Sequence, residues 1–209
     1  MAKNLNVASS LGVGDCFFAD RFFFCSLLAF LPMYMHDVLG VSIANNGVFS
    51  AVSLSSSAIG IPITGAVVDW LVLGSSGKLT THVVRKGSGV VGFLLVDCGL
   101  ILLGFVGCNR ALAVAELFIL LFFDGIVFNC IVTNQMDLSP VHAGKIMGLV
   151  TTVANLGSIL GPVIVAVMTA HQSTRWTWQN VFLLMAGLNA FAAVVFLIFG
   201  SGNRQSWND

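Results

Sequence analysis

The feature that most constrains this chain is a series of apolar runs, separated from one another by short polar segments. The runs are close to the length of about 20 residues that a helix needs to cross the hydrocarbon core of a bilayer. Charged residues make up only 9% of the chain, whereas soluble domains carry about 25%. A chain of this composition cannot expose most of its surface to water, so we predict an integral membrane protein of the all-α class.

Six membrane spans can be assigned, and only short breaks separate them. We predict helices over Cys16–Leu39, Asn46–Leu73, Val83–Val106, Ala111–Asn134, Ala143–Thr169 and Trp178–Gly200. The first helix is the weakest, because Asp20 and Arg21 interrupt its apolar run. Either this pair faces protein or water, or the first helix is incomplete. The chain therefore divides into a short N-terminal segment (1–15), a six-helix transmembrane domain (16–200) and a C-terminal tail (201–209).

Positive charge is unevenly distributed between the two sides of this predicted bundle. One side holds both termini and two loops, with six basic residues: Lys3, Lys78, Arg85, Lys86, Lys145 and Arg204. The other side holds Arg110 and Arg175. Since Lys and Arg accumulate in the cytoplasmic loops of membrane proteins, we predict that both termini are cytoplasmic.

Motifs of enzymes, metal sites and nucleic-acid-binding proteins are missing from the sequence. The nine Lys and Arg residues are too few and too scattered for a nucleic-acid surface. The five cysteines form no CxxC pair and no zinc-like spacing with the four histidines. No HExxH, GxSxG or Walker-type loop is present. We therefore expect no enzymatic activity, no bound metal and no cofactor.

Ionisable groups inside the predicted spans are the first candidates for a functional site, because hydrocarbon tolerates them only with a partner, a proton or water. Asp124 lies near the middle of its span, and it is either a solute or proton site or a packed, protonated acid. Arg21 beside Asp20 is either a locally neutralised pair or a cation offered to an anionic solute. Glu116 lies close enough to a helix end to reach the membrane interface, and the sequence suggests no partner for Asp97.

Small and polar side chains form a stripe on two of the predicted helices. The stripe on the second helix contains Ser50, Ser53, Ser57, Gly60 and Thr64, and that on the fifth contains Gly148, Thr151, Thr152, Asn155, Ser158 and Pro162. Such stripes allow close helix packing, which is the preferred interpretation for the serines and for the pair Gly157 and Gly161. Asn155 has a greater need for hydrogen bonds, and its position fits packing and the lining of a solute path equally well.

The polar segment NQMDLSPVHAGKIMG at 134–148, between the fourth and fifth spans, resembles a loop of a known family of membrane proteins. Other segments are similar to that family in the same order, among them LPMYMHDVLG at 31–40, GAVVDWL at 65–71, GPVIVAVMT at 161–169 and WQNVFLLMAG at 178–187. On these motifs the chain resembles spans seven to twelve of the anion/cation symporter family within the major facilitator superfamily. That is the family of sialin, the sodium-dependent phosphate cotransporters and the vesicular glutamate transporters.

This resemblance implies half of a twelve-helix bundle, with its six helices arranged as two inverted three-helix repeats. It implies secondary active transport of an organic or inorganic anion such as phosphate, sialic acid or a glutamate-like solute, coupled to sodium or protons. The expected location is a plasma, lysosomal or vesicular membrane. The expected partners are the anionic solute, the lipid bilayer and either a first-half transporter segment or another copy of the chain, with no nucleic acid.

Two alternatives to an independent half-transporter stay open. The chain is either a truncated, non-transporting membrane protein that binds or regulates a full-length relative, or a fragment of an intact carrier. The weak first helix and the unusual acids favour these alternatives.

The spans and the resemblance together yield two sets of candidate residues. The solute or ion path candidates are Arg21, Ser53, Ser57, Asp124, Asn134, Thr151 and Asn155. The candidates for a cytoplasmic gate motif are Gly65, Asp69, Arg85 and Asp137.

The chain also departs from the family at several positions. Gln135 replaces the usual His of the loop motif, although Asn134 and Asp137 match. Asp20 stands where the vesicular glutamate transporters have an arginine, and Arg21 follows one residue later. Three acids occupy positions that the family usually leaves uncharged: Asp97, Glu116 and Asp124.

Cysteine accessibility tests the predicted orientation. A single cysteine replacing Lys78 in a cysteine-free background should react with a membrane-impermeant maleimide in inside-out vesicles, because we predict that this loop is cytoplasmic. A cysteine replacing Gln172, in the loop before the sixth span, should react only in right-side-out vesicles. The opposite labelling pattern would show that the orientation is wrong.

Overall fold

The computed structural model describes residues 2–74, 81–107, 109–138 and 143–199. These residues form six α-helices: α1 (Ala2–Asp37), α2 (Ile43–Gly74), α3 (Thr81–Phe105), α4 (Arg110–Leu138), α5 (Ala143–Thr169) and α6 (Arg175–Phe199). Each contains a segment of 23 to 30 residues that is long and apolar enough to cross a membrane. The predicted all-α class and six spans are therefore confirmed. The predicted C-terminal tail, 201–209, lies outside the described residues.

Helix α1 differs most from its prediction. It begins at Ala2 rather than near Cys16, and its membrane-length segment, Gly14–Asp37, contains 24 residues. The first helix is therefore complete, which rules out the interpretation that it is too short to cross. Asp20 lies inside this segment and is buried, so the protein accommodates the interruption in the apolar run.

The pairing of the helices repeats between the two halves of the chain. Helix α1 packs mainly on α5 and α6, while α4 packs mainly on α2 and α3, and α3 and α6 pack on each other. Exchanging α1–α3 with α4–α6 leaves this pattern unchanged. Because each helix crosses once, α1 and α4 run in opposite directions, and the two halves form the predicted inverted repeats.

The contact between α1 and α5 depends on two glycines. Gly157 lies directly against the backbone carbonyl of Phe18, and Gly161 lies against the carbonyl of Phe22 and the hydroxyl of Ser26. A side chain at either glycine would overlap these atoms. The spacing of four residues places both glycines on one face of α5, which confirms that this pair serves close helix packing.

The equivalent contact between α2 and α4 is built in the same way. A Cβ atom added at Gly60 would lie 2.6 Å from the carbonyl oxygen of Phe122, and one at Gly125 would lie 2.8 Å from the backbone nitrogen of Ile61. Both helices therefore contribute a glycine where their backbones meet. Exchanging the two repeats turns the α1–α5 pair into the α2–α4 pair. Both repeats therefore use glycines at the same helix contact.

The two arginines on the weakly basic side of the bundle bind helix ends. Arg110 donates from Nε to the carbonyl of Leu39 at 2.7 Å and from Nη2 to the carbonyl of Gly40 at 3.0 Å. Arg175 donates to the carbonyl of Phe105 at 3.5 Å. Leu39 and Gly40 lie in the turn that follows α1, so Arg110 fixes this turn against the start of α4. Phe105 is the last residue of α3, and its carbonyl carries partial negative charge that a cation stabilises. These contacts give both arginines a structural role.

Substitution of a packed glycine tests the α2–α4 contact. Gly125→Val should lower the melting temperature of the detergent-solubilised chain, because overpacking of a tight contact costs about 1–3 kcal/mol. Gly187→Val is the matched control, since a Cβ there would meet nothing within 4 Å. Equal melting temperatures for the two variants would contradict the close approach of α2 and α4.

Candidate functional site

Asp20 and Arg21 form an ion pair on α1. Arg21 Nη2 lies 2.7 Å from Asp20 Oδ2, and Arg21 Nε donates to the same oxygen at 2.9 Å. The side chain of Asp20 is completely buried, whereas that of Arg21 is 23% exposed. The local neutralised pair considered from the sequence is therefore present, and part of the guanidinium stays accessible.

Three phenylalanine rings surround this guanidinium. Arg21 Cζ lies 5.2 Å from the ring centroids of Phe17 and Phe128 and 5.3 Å from that of Phe24. Phe128 belongs to α4, so the cation contacts rings from both repeats. Aromatic faces attract a cation, more strongly where water is excluded. The rings therefore stabilise the charge of Arg21 without adding a negative charge beside it.

Asp124 on α4 joins the same cluster. Asp124 is 3% exposed and Asp20 is 1% exposed, and their carboxyl groups lie within hydrogen-bonding reach of each other. Asp20 Oδ1, the oxygen that Arg21 does not bind, has no amide, hydroxyl or guanidinium partner among the described residues. The sequence placed these acids on separate helices and provided no reason to join them. The structure combines two acids and one arginine where α1 meets α4.

The accessible part of Arg21 lies on one open face of α1. Arg21 and Cys25 are half-buried, while Leu28 and Pro32 are exposed, and this spacing places all four on one stripe of the helix. The other sides of α1 are covered by α4, α5 and α6. The stripe therefore lies on a side of α1 that the described helices leave uncovered.

Ser53 and Ser57 lie away from this open face. Both are buried, and the Ser53 hydroxyl donates to the carbonyl of Phe49 in its own helix at 3.0 Å. They share a stripe with Gly60, which meets α4. The packing interpretation of the serines fits this position better than the lining of an open path.

Helix α5 places its two candidates differently. Asn155 is exposed and Thr151 is half-buried. The neighbouring residues Ala154 and Gly157 form the buried face of the helix against α1. Thr151 and Asn155 therefore lie next to the α1–α5 contact. The side chain of Asn155 is not covered by any described residue.

The end of α2 carries the first two residues of the predicted gate motif. Gly65 lies against the side chain of Asn129 on α4, and Asp69, one turn later, is exposed. Asn129 donates from Nδ2 to the carbonyl of Ile61 at 2.6 Å and to the hydroxyl of Thr64 at 3.0 Å. Our reading of the sequence missed Asn129, although a single amide inside an apolar run was a detectable signal.

The other gate and loop candidates are only partly described. Arg85 lies on α3, where its carbonyl accepts from the thiol of Cys130 on α4 at 3.6 Å. Asn134 is buried near the end of α4, and its Oδ1 has no hydrogen-bond partner among the described residues. The side chain of Asp137 lies outside the described residues.

Asp97, for which the sequence suggested no partner, is paired in the structure. Asn189 of α6 donates from Nδ2 to Asp97 Oδ1 on α3 at 2.9 Å, and both side chains are buried. The pair joins the two outer helices of the repeats. Glu116, by contrast, is half-buried on α4 beside Gly99 of α3.

Comparisons with known proteins agree with this architecture. A family model described as Major Facilitator Superfamily matches residues 7–162 and 75–209. Sialin from Ovis aries is 32% identical over 190 residues, which cover 91% of this chain and 38% of sialin. Vesicular glutamate transporter 3 from Danio rerio is 32% identical over 192 residues, which cover 92% of this chain and 32% of the transporter. A putative inorganic phosphate cotransporter from Drosophila ananassae is 30% identical over 186 residues, covering 88% of this chain and 38% of that protein.

Solved structures share the fold at low sequence identity. Tetrameric PepTSo2 superposes with a TM-score of 0.74 at 14% identity, covering 94% of this chain and 41% of that chain. A bacterial homologue of the human drug peptide transporters PepT1 and PepT2 gives a TM-score of 0.74 at 14% identity, with coverage of 98% and 45%. The present chain thus spans less than half the length of the relatives it matches.

A double-mutant cycle tests the buried Asp97–Asn189 pair. Asn189→Leu should destabilise the chain by about 1–3 kcal/mol, because it leaves a buried acid without its hydrogen-bond donor. Asp97→Leu combined with Asn189→Leu should restore most of the loss, since both polar groups are then absent. Thermal unfolding in detergent measures the effect, with Asn155→Leu as the exposed-amide control. Additive losses in the double variant would contradict a direct interaction.

Proposed function

The chain belongs to the Major Facilitator Superfamily, and we propose that it takes part in the secondary active transport of organic or inorganic anions. Two of its relatives are named as carriers of glutamate and of inorganic phosphate, both of which are anions at neutral pH. The observation that carries the proposal is the partly exposed guanidinium of Arg21 on the open face of α1.

Arg21 has the chemistry that anion recognition needs. A guanidinium presents a planar fork of N–H donors that binds a carboxylate or a phosphate through two parallel hydrogen bonds. In the structure this fork is bound to Asp20. A solute anion must therefore replace Asp20 at the guanidinium, and the three rings around Arg21 exclude water while it does so.

The rest of the path follows from the fold. The inverted repeats support alternating access, in which one unit rocks against another around a site near the middle of the membrane. We infer that a second six-helix unit, either a first-half segment or another copy of the chain, supplies the opposite wall. Thr151 and Asn155 on α5 are the next groups to contact the solute. The coupling ion is sodium or a proton, and both termini are cytoplasmic.

Substitutions at Arg21 test this function. Uptake of radiolabelled glutamate and phosphate is measured in vesicles that contain the chain alone or together with the first six spans of a sialin relative. Arg21→Gln should weaken the apparent affinity about ten- to a hundredfold, the loss expected for a hydrogen bond to a charged group. Arg21→Lys should be intermediate, because it keeps the charge without the fork.

The matched control for these variants is Arg175→Gln, which removes an exposed arginine at the start of α6. Its uptake should equal that of the unmodified chain at equal surface abundance. An unchanged affinity in Arg21→Gln would exclude Arg21 as the anion-binding group.

A further inference from the structure

The contact between Asp20 and Asp124 is the feature of the cluster that anion binding alone does not explain. Arg21 binds one oxygen of Asp20 from one side. The other oxygen has no amide, hydroxyl or guanidinium partner among the described residues. Asp124 is buried on α4 one turn before Phe128, whose ring centroid lies 5.2 Å from Arg21 Cζ, so Asp124 lies beside the ion pair and interacts with the carboxyl of Asp20. Two ionised carboxylates at such a distance repel each other, and carboxyl pairs in this arrangement share a proton.

The formal charges of the cluster identify its stable state. With both acids ionised, the two negative charges and the one positive charge of Arg21 leave a net charge of −1. One proton shared by the acids makes the cluster neutral, and a second proton makes it +1. An uncompensated charge in a dry interior costs several kcal/mol. The neutral state, with one proton between Asp20 and Asp124, is therefore the one that matches this burial.

No ionisable group on the neighbouring helices changes this balance. The span of α5, Met147–Thr169, contains no acid, base, cysteine or tyrosine. That of α6, Arg175–Ile198, contains only Arg175 at its end, which binds the carbonyl of Phe105. The only such residue in the span of α2 is Asp69, which is exposed. On α1 itself, Asp15 is exposed, Cys16 donates its thiol to the carbonyl of Ala192 at 3.3 Å, and Cys25 is half-buried one turn after Arg21. Tyr34, His36 and Asp37 lie at the far end of the helix.

The remaining ionisable groups belong to α3 and α4, and their contacts lie elsewhere. Asp97 is bound by Asn189 of α6, and Glu116 lies beside Gly99 of α3. Cys130 contacts the carbonyl of Arg85. The proton on the acid pair is thus balanced by Arg21 alone.

We propose that Asp20 and Asp124 form the proton-binding site of the transport cycle, sharing one proton before an anion binds and taking up a second when an anion binds Arg21. This inference rests on the proposed anion transport and specifies its coupling ion. The first proton bridges Asp124 and Asp20 Oδ1. The second, drawn from water on the open face, adds to Asp20 Oδ2 and ends the ion pair with Arg21.

The guanidinium is then free to bind the anion, and the cluster is again neutral. The acids carry no charge, and the anion compensates Arg21. One proton accompanies each negative charge that binds. By linkage, a site that takes up a proton with its anion binds that anion more tightly as the pH falls, and less tightly as the pH rises.

Infrared spectroscopy of the purified 209-residue chain in liposomes tests for the shared proton. The C=O stretching band of a protonated carboxyl should be present at neutral pH and should be lost in both Asp20→Asn and Asp124→Asn. In either variant Arg21 neutralises the remaining acid as a carboxylate. The matched control, Asp97→Asn, should keep this band. If the band persists in Asp20→Asn, Asp124 is protonated by itself. If the spectra of the unmodified chain and both variants are the same, no proton is shared. Either result overturns the proposal.

Proton uptake on anion binding tests the coupling. Addition of L-glutamate to weakly buffered liposomes that contain the chain together with the first six spans of a sialin relative should remove about one proton from solution per anion bound, as the charge count requires. The double variant Asp20→Asn/Asp124→Asn should remove none, because no carboxyl of the cluster is left to take up the proton. Liposomes without the chain provide the baseline. Glutamate binding without proton uptake would overturn the coupling role and leave anion transport intact. A shared-proton band without binding of glutamate or phosphate would instead overturn the proposed function, and with it the coupling role.

Discussion

Hydrocarbon offers no hydrogen bonds, so every polar group within these six helices must find its partner inside the protein or on an open, wetted face. That requirement places the polar side chains at the joints between helices. Asn189 binds Asp97 across α3 and α6, and Asn129 binds the backbone of α2 from α4. Glycines remove side-chain bulk at the remaining close contacts, as Gly157 does between α5 and α1. Glycine contacts of this kind occur in both corresponding helix pairs, α1–α5 and α2–α4.

The cluster of Asp20, Arg21 and Asp124 meets the same requirement differently. Its hydrogen bonds and charges are balanced only for one number of bound protons, whereas the bond from Asn129 to the backbone carbonyl of Ile61 involves no titratable group. It also lies where α1 meets α4, the first helices of the two repeats. A change in the charge of the cluster therefore affects both the contact between α1 and α4 and the binding partner of the accessible guanidinium. A site with this property connects the binding of a proton to the binding of an anion without a separate relay.

The sequence predicted the local structure well because the length and composition of each apolar run decide whether a helix can cross a membrane. The glycine pair of α5 was also assigned correctly, since a four-residue spacing is visible along one helix. The partners of Asp97 and Asp124 were beyond reach, because helical periodicity shows which face of a helix is buried but not which helix covers it. Asp97 and Asn189 are 92 positions apart in the chain. The start of α1 was missed because its first residues are polar. A change to polar residues shows where the membrane-crossing segment begins, but the helix itself can extend beyond that point.

The arrangement also explains why a carrier can benefit from an arginine that is already neutralised. A bare guanidinium facing a dry path would bind a solute anion so tightly that release would be slow, whereas Asp20 competes with the solute from within the same helix. Asp20 accepts through one oxygen from two N–H groups of the guanidinium, the same groups that would bind a carboxylate or phosphate ligand. The solute anion and Asp20 therefore compete for the same N–H groups, and in the proposed cycle protonation of Asp20 decides which anion the guanidinium holds. In the proposed cycle, release on the less acidic side needs only the return of the proton to water, because the ionised Asp20 then binds the guanidinium in place of the solute.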